Sequence, residues 1–365
     1  MTTGISWCDE TWNPVVGCSK VSAGCAHCYA KSLHDKRHKA YLAGKKMPDC
    51  YAQPFETVRC YPDRLEIPLR LRAPRVIFVN SVSDLYHPNV PDEFIDQVKA
   101  VEALCPQHTF VELTKRPERM AEYSTKKALR WAEIKREREE MCYEDECPRC
   151  CGDGAVEYID SPDQWGEDCP TEKNHWIPCP ECRRRKTEDA YLKAPLPNVF
   201  LGVSVEDQPT ADERLPYLMK LARREAAWNT VLSIEPLLGP ITFRPKASGT
   251  DEIIQMTLAD KLERYTKPEM LYGLKGVIVG GESGPHARPC NVEWIRSIRD
   301  QCAAAAVPCY VKQMGSVWAK AQGWKYFTTD GEPLDSAGAN MVNWPLDLRV
   351  RELPWTVKQK KGGVA

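Results

Sequence analysis

"NVFLGVSV", residues 198–205, places five aliphatic or aromatic side chains in eight positions and carries no charge. A strand with one wet face alternates polar and apolar residues. A near-continuous apolar run fits a strand buried on both faces, as in a parallel sheet covered by helices. Five more runs share this character: "RVIFVN" (75–80), "HTFVEL" (108–113), "NTVLSIEP" (229–236), "KGVIVGGE" (275–282) and "VPCYVKQ" (307–313). Between them lie amphipathic stretches such as "DEFIDQVKAVEALC" (92–105) and "VEWIRSIRDQCAAAA" (292–306). With an opening strand near "NPVVGC" (13–18), the pattern predicts six or seven βα units. The expected fold is α/β, a complete or partial (β/α) barrel; a doubly wound open sheet is the alternative.

Polar residues follow nearly every run. Asn80, Ser81, Ser83 and Asp84 follow the one at 75–80, and Thr114 and Lys115 the one at 108–113. Ser204 and Glu206, Glu235, Glu282, and Lys312 with Gln313 close the later ones. Any one of them could simply cap the next helix. Taken together they predict a site, because the loops at the carboxyl ends of barrel strands converge on one mouth.

The chain has 365 residues and a net charge of −1, so no overall basic field advertises a polyanionic partner. Its start, "MTTGISWCDETWNP", lacks the pattern of a signal peptide, and no apolar stretch approaches the roughly 20 residues that cross a bilayer. A cytoplasmic protein without a membrane partner is expected. Its 17 cysteines then read as metal ligands or redox groups where they cluster. Cys105, Cys290, Cys302 and Cys309 stand apart and read as small apolar residues.

Residues 125–190 break the βα rhythm. A charged run, "TKKALRWAEIKREREE" (125–140), leads to "CPRCCGDG" (147–154), "CPEC" (179–182) and "RRRK" (183–186). Cys147, Cys150, Cys179 and Cys182 form two CxxC knuckles, the pattern of a tetrahedral structural Zn²⁺ site. Cys142, Cys151, Cys169 and His175 lie close enough in sequence to compete as ligands. The expected organisation is a barrel of residues 1–124 and 191–345, a cysteine-rich zinc insertion at 125–190 and a C-terminal tail at 346–365.

A second cluster has only three thiols. "GCSKVSAGCAHCYAK" (17–31) holds Cys18, Cys25 and Cys28. Three thiolates from one loop can bind three irons of a [4Fe–4S] cluster and leave the fourth iron open. A second zinc site completed by Cys8 or His27 is the alternative. The loop resembles that of the radical S-adenosylmethionine (SAM) superfamily, whose common pattern is C-x3-C-x2-C at the end of the first barrel strand. Cys25-Ala26-His27-Cys28 keeps the second half, followed by Tyr29, and the first gap is six residues rather than three. "WNPVVGCSKVSAGCAHCYA", with "FVNSVSDL", "LTKRP", "LGVSVED", "SIEPLLGPI", "GGESGP" and "VKQMG", is similar to a phage-encoded three-cysteine-motif family over residues 7–120 and 195–320.

The resemblance implies a [4Fe–4S] cluster on Cys18, Cys25 and Cys28, SAM as cosubstrate, and an electron donor such as flavodoxin. It puts Tyr29, Asn80, Ser81, Asp84, Ser204 and Glu206 near SAM. Glu235, Glu282 and Lys312 would line the mouth and meet the substrate. The Gly-Gly-Glu segment that many superfamily members carry after the second strand stands here at 280–282, after the sixth run. The implied substrate is DNA or a modified nucleotide. In phage thymidine hypermodification, an isomerase would move a glycine adduct on the thymine methylene from nitrogen linkage to α-carbon linkage. A thymine photoproduct lyase and a non-enzymatic, zinc-stabilised nucleic-acid-binding protein are the alternatives.

Overall fold

The computed structural model describes residues 4–125, 195–223, 227–243, 271–322 and 335–357, together with the backbone of two strands in the insertion. The strands are β1 (Glu10–Trp12), β2 (Val15–Val16), β3 (Arg59–Cys60), β4 (Val76–Val79), β5 (Thr109–Thr114), β6 (Ala155–Tyr158), β7 (His175–Pro178), β8 (Val199–Val205), β9 (Asn229–Ile234), β10 (Gly276–Gly280) and β11 (Cys309–Gln313). The longer helices are α1 (Tyr29–Leu42), α2 (Asp92–Leu104), α3 (Gln208–Ala222) and α4 (Val292–Ala304), followed by the short α5 (Ser316–Ala321).

Seven strands form one sheet in the order β1-β4-β5-β8-β9-β10-β11, parallel at every pairing. That spatial order is also the order along the chain. Each crossover therefore steps one strand in the same direction, whereas a doubly wound sheet reverses at a switch point. The sheet curls into a half-barrel, the partial form of the expected architecture. The free edge of β11 is closed by the C-terminal segment running antiparallel: the Val311 amide donates to Val350 O and the Glu352 amide to Cys309 O, both at 2.9 Å. The described part of the expected tail, 346–357, thus packs on the barrel.

Strand alternation sorts two apolar layers. Ile77, Val79, Phe110, Leu201, Leu232, Val277 and Val311 pack outward against Ile95 and Val98 of α2, Leu215 and Leu218 of α3, and Ile295 and Ile298 of α4. The alternate residues Val76, Val111, Phe200, Val231, Ile278 and Tyr310 face inward and meet Trp7, Cys8 and Trp355. The Trp355 indole donates to Trp7 O at 3.0 Å, so the segments around these two residues join to floor the lumen.

The opening strand differs from the one expected at 13–18. The sheet takes Glu10–Trp12, while Val15–Val16 pairs antiparallel with Arg59–Cys60. Pro14 offers no N–H to a ladder, and the Val15 amide donates instead to Asn80 Oδ1 at 3.1 Å. Between β5 and β8 along the chain, β6 and β7 pair antiparallel in a separate two-stranded sheet.

A charged network is buried under α2. Lys99 Nζ donates to Glu102 Oε2 at 3.0 Å and to Glu112 Oε1 at 2.6 Å, and the Tyr86 hydroxyl donates to Glu112 Oε2 at 2.7 Å. Glu102 is fully buried, and among the described residues its Oε1 has no hydrogen-bond partner. Burial, and the second carboxylate beside it, hold the Glu102 pKa well above the usual range against the pull of Lys99.

Candidate functional site at the mouth of the half-barrel

Every expected mouth residue lies at the carboxyl end of a sheet strand or in the loop that follows it. After β4, the chain turns through Asn80 at φ 58°, a left-handed conformation that asparagine tolerates better than most residues. Asn80 is buried, and among the described residues its Nδ2 has no hydrogen-bond partner. Asp84 then gathers the loop after β5: Thr114 Oγ1 donates to Oδ1 at 2.7 Å, the Lys115 amide to Oδ2 at 3.2 Å, and Arg116 Nη1 to Oδ2 at 2.9 Å. Asp84 is thereby committed to shaping the mouth.

The cysteine loop lies across this mouth, tied to several strand ends. Gly17 bridges to Ser83 after β4. Arg116, after β5, donates to Ser19 O and Ser19 Oγ at 3.0 Å each and approaches Cys18 Sγ at 3.6 Å. Ser22 Oγ donates to Glu206 Oε1 at 2.9 Å, after β8. Arg288 Nη1, in the loop after β10, donates to Ala23 O at 2.9 Å. The Tyr29 hydroxyl, at the start of α1, donates to Ser81 O.

Glu206 is fully buried and serves as the post for this loop. Lys115 Nζ pairs with its Oε1, and Arg214 of α3 reaches its Oε2 at 3.3 Å while also donating to Ser204 O at 2.7 Å. The neighbouring Asp207 has the simpler role of N-cap, accepting from the Thr210 amide at 3.0 Å. Of the two adjacent carboxylates after β8, one starts the helix and the other faces the cysteines.

Glu282 occupies the matching position after β10. Arg288 grips it with two prongs, Nε to Oε2 at 2.8 Å and Nη2 to Oε1 at 2.6 Å, and the Arg288 amide adds a third bond at 2.7 Å. His27 Nδ1 lies 3.4 Å from Oε2. Burial alone would raise the Glu282 pKa, but these donors lower it below the usual carboxylate value. Further round the sheet, Lys312 of β11 donates to Glu235 Oε1 at 2.5 Å. Both remain partly accessible, and they form an ion pair facing the lumen.

The three thiols sit in different fields. Burial and the Asp84 carboxylate push Cys18 up to about 11, against the pull of Arg116. Burial would also raise Cys25, but hydrogen bonds from the backbone at Val21 and Ser22, the Lys115 ammonium and the Ser22 hydroxyl bring it below the ordinary thiol value. Cys28 is the N-cap residue of α1. All three are free and half-buried. Among the described residues no three His, Cys, Asp or Glu side chains converge on a single metal ion. Cys8 packs into the apolar floor, and His27 turns its Nδ1 to Glu282. An iron–sulfur cluster makes a different demand, since each thiolate binds a different iron. Cys147, Cys150, Cys179 and Cys182 lie outside the described residues. Cys105, Cys302 and Cys309 are buried in the sheet–helix layer, as expected.

Arg116, Arg214, Arg288, Ser19 and Ser22 were not among the expected site residues. Each left a trace in the sequence. Arg116 follows β5 directly, and Arg288 shares the loop of Glu282. Arg214 is a lone cation on the otherwise apolar buried face of α3. Ser19 and Ser22 sit inside the cysteine loop itself. No curated protein and no solved structure matches the chain. Residues 2–358 match the family described as protein of unknown function, DUF5131, and the chain belongs to that family.

Proposed function

We propose that this chain is a radical SAM enzyme that acts on a thymine-derived nucleotide in DNA, as an isomerase moving a glycine adduct from nitrogen to α-carbon linkage. The observation that supports the reading is the three-cysteine loop held across the mouth of a parallel half-barrel by residues from several strand ends. The donor set fits the implied cofactor: Cys18, Cys25 and Cys28 are free, half-buried and on one short loop. Three such thiolates would hold a [4Fe–4S] cluster and leave one iron for SAM. When bound, the cluster and SAM supply a radical that takes hydrogen from an unactivated carbon.

The chain's own groups would bind and orient. The unpartnered amide of Asn80 is a donor suited to a carboxylate or hydroxyl of the cosubstrate. Tyr29 and Ser81 fix the end of the loop against β4, and Ser204 lines the wall beside Glu206. Lys312 would hold the carboxylate of an amino-acid adduct while Glu235 orients its ammonium. The floor of Trp7, Trp355 and Tyr310 keeps water from one side of the lumen. For the CxxC pairs at 147–150 and 179–182 we propose a Zn²⁺ site that staples the segment.

Anaerobic reconstitution should give a brown protein with a broad band near ~400 nm that is lost in Cys18→Ala, Cys25→Ala and Cys28→Ala. The reconstituted enzyme should cleave SAM under reductant and, on DNA bearing the N-linked adduct, yield an isomeric nucleoside of unchanged mass. A colourless protein, or one binding only zinc, would sink the radical reading. SAM cleavage with an unaltered nucleoside digest would sink the isomerase alone.

A further inference from the structure

Charge is segregated along this chain. Residues 17–75 contain twelve Lys and Arg against five Asp and Glu, whereas the full sequence has 50 against 51. The segment folds as the cysteine loop, α1 and the turns that follow, beside the mouth. Three of its five anions are already engaged: Asp35 and Glu56 by Lys31, and Glu66 by Arg70.

Helix α1 shows why these cations remain exposed. Its 14 residues bury only Ala30 and His34. His34 contacts Gln53 O at 2.9 Å, and His38 contacts Tyr51 O at 2.7 Å, while the Arg37 guanidinium lies 5.2 Å from the Tyr51 ring centre. These contacts set the inner face through Ala30, His34 and His38. At 3.6 residues per turn, Lys36 and Lys39 fall on the opposite side. Lys45 and Lys46 continue past the helix end, where Gly44 turns the chain with φ 75°. All four lysines are exposed, with Leu42, 69% exposed, among them. The helix spans about 21 Å and starts at Cys28.

We propose that this outer face of α1, with Lys36, Lys39, Lys45 and Lys46, is the docking surface for the phosphate backbone of double-stranded DNA. It leads the duplex toward the cysteine loop. Exposed cations spread along a helix and past its end suit a polymer of evenly spaced phosphates better than a compact acidic patch on a protein. The proposal rests on the DNA-substrate reading for the identity of the polyanion, and it adds the surface that holds it. The neutral total charge hides this surface, because the rest of the chain carries the compensating acid.

The test is a fluorescence-anisotropy titration of the full-length protein with a labelled duplex of about 20 base pairs, two helical turns, at several salt concentrations. Lys36→Gln, Lys39→Gln, Lys45→Gln and Lys46→Gln combined should weaken binding by at least about tenfold at low salt. The slope of log K against log salt should become shallower by up to about 3.6, near 0.9 for each of four phosphates no longer neutralised. A control combining Lys220→Gln, Lys275→Gln and Lys320→Gln, exposed lysines on other elements, should bind as the parent does. Circular dichroism confirms that both are folded. Parent protein that does not bind the duplex, or a quadruple variant matching the control, overturns the proposal. Displacement of DNA by poly-glutamate at equal charge also overturns it, in favour of an acidic protein partner. Binding needs neither reductant nor SAM, so failure here and failure of the radical chemistry are read separately.

Discussion

Gly24 of the cysteine loop rests directly on Glu206: a Cβ built at Gly24 would stand 2.5 Å from Glu206 Cγ and 2.7 Å from its Cδ. Glu206 cannot retreat, because Lys115, Arg214 and Ser22 hold it from three sides. A methyl group at 24 must therefore move the loop. Gly24→Ala should cost about 1–3 kcal/mol, the usual range for overpacking, and lower iron incorporation per protein on reconstitution. Combining it with Glu206→Asp, which removes one methylene from the post, should recover part of both losses. Gly24→Ala with parental melting temperature and iron content would refute the contact.

Arg288 and Glu282 predict an acid-side signature. The folded-state pKa of Glu282 is depressed, so its contribution is present above its unfolded value, about 4.3, and fades as pH falls through the folded one. Arg288→Ala keeps the backbone amide on Oε2 but strips Glu282 Oε1 of its donor, and should cost about 1–3 kcal/mol at neutral pH. The gap between variant and parent should narrow only as pH falls past the unfolded value and through the lower folded-state one, where the carboxyl protonates in both. Urea titrations at a series of pH values measure it. A gap that persists unchanged at pH 3 would assign the loss to something other than this pair.

The fold was legible because parallel strands buried on both faces leave apolar runs that polar loops interrupt. Leu201, Val203 and Val205 of β8 mark one such run, and Val277 and Val279 of β10 another. The opening strand was misplaced because Val15 and Val16 look like a sheet strand, while the deciding fact, Val15 donating to the Asn80 side chain, spans 65 residues. The same limit applies to the site. That Glu206, Glu282 and Asp84 lie at strand ends follows from the periodicity. That each is claimed by an arginine, from Arg214, Arg288 and Arg116 respectively, follows from tertiary placement alone.

Glu235 and Lys312 make the case for direct involvement most open to test. Their ion pair is partly accessible, so its worth to stability is small, below about 1 kcal/mol. Lys312→Ala and Glu235→Gln should therefore melt close to the parent and keep the cluster band. Turnover should fall by roughly 10²-fold if the ammonium positions the substrate. A double variant no worse than either single would show the two acting as one unit. Parental turnover in Lys312→Ala would remove the pair from the mechanism.

The buried network under α2 yields a prediction of opposite sign on the pH axis. Lys99 stays charged, since the two carboxylates outweigh the burial that would otherwise lower its pKa. One lysine cannot balance both Glu102 and Glu112, and Glu102 is the one held protonated. A raised folded-state pKa contributes stability fully below the unfolded value, about 4.3, and loses it as pH rises through the folded one. The parent should thus weaken as pH climbs from 5 toward the folded value. Glu102→Gln keeps the shape, removes the proton equilibrium and lets its amide donate to Glu112. Its stability relative to the parent should rise with pH across that window, measured by melting temperature at each pH. Lys99→Met, which strands Glu112 without its cation, should instead cost about 3–5 kcal/mol. A parent and Glu102→Gln pair whose difference stays flat from pH 5 to 9 would mean that Glu102 is ionised in the fold.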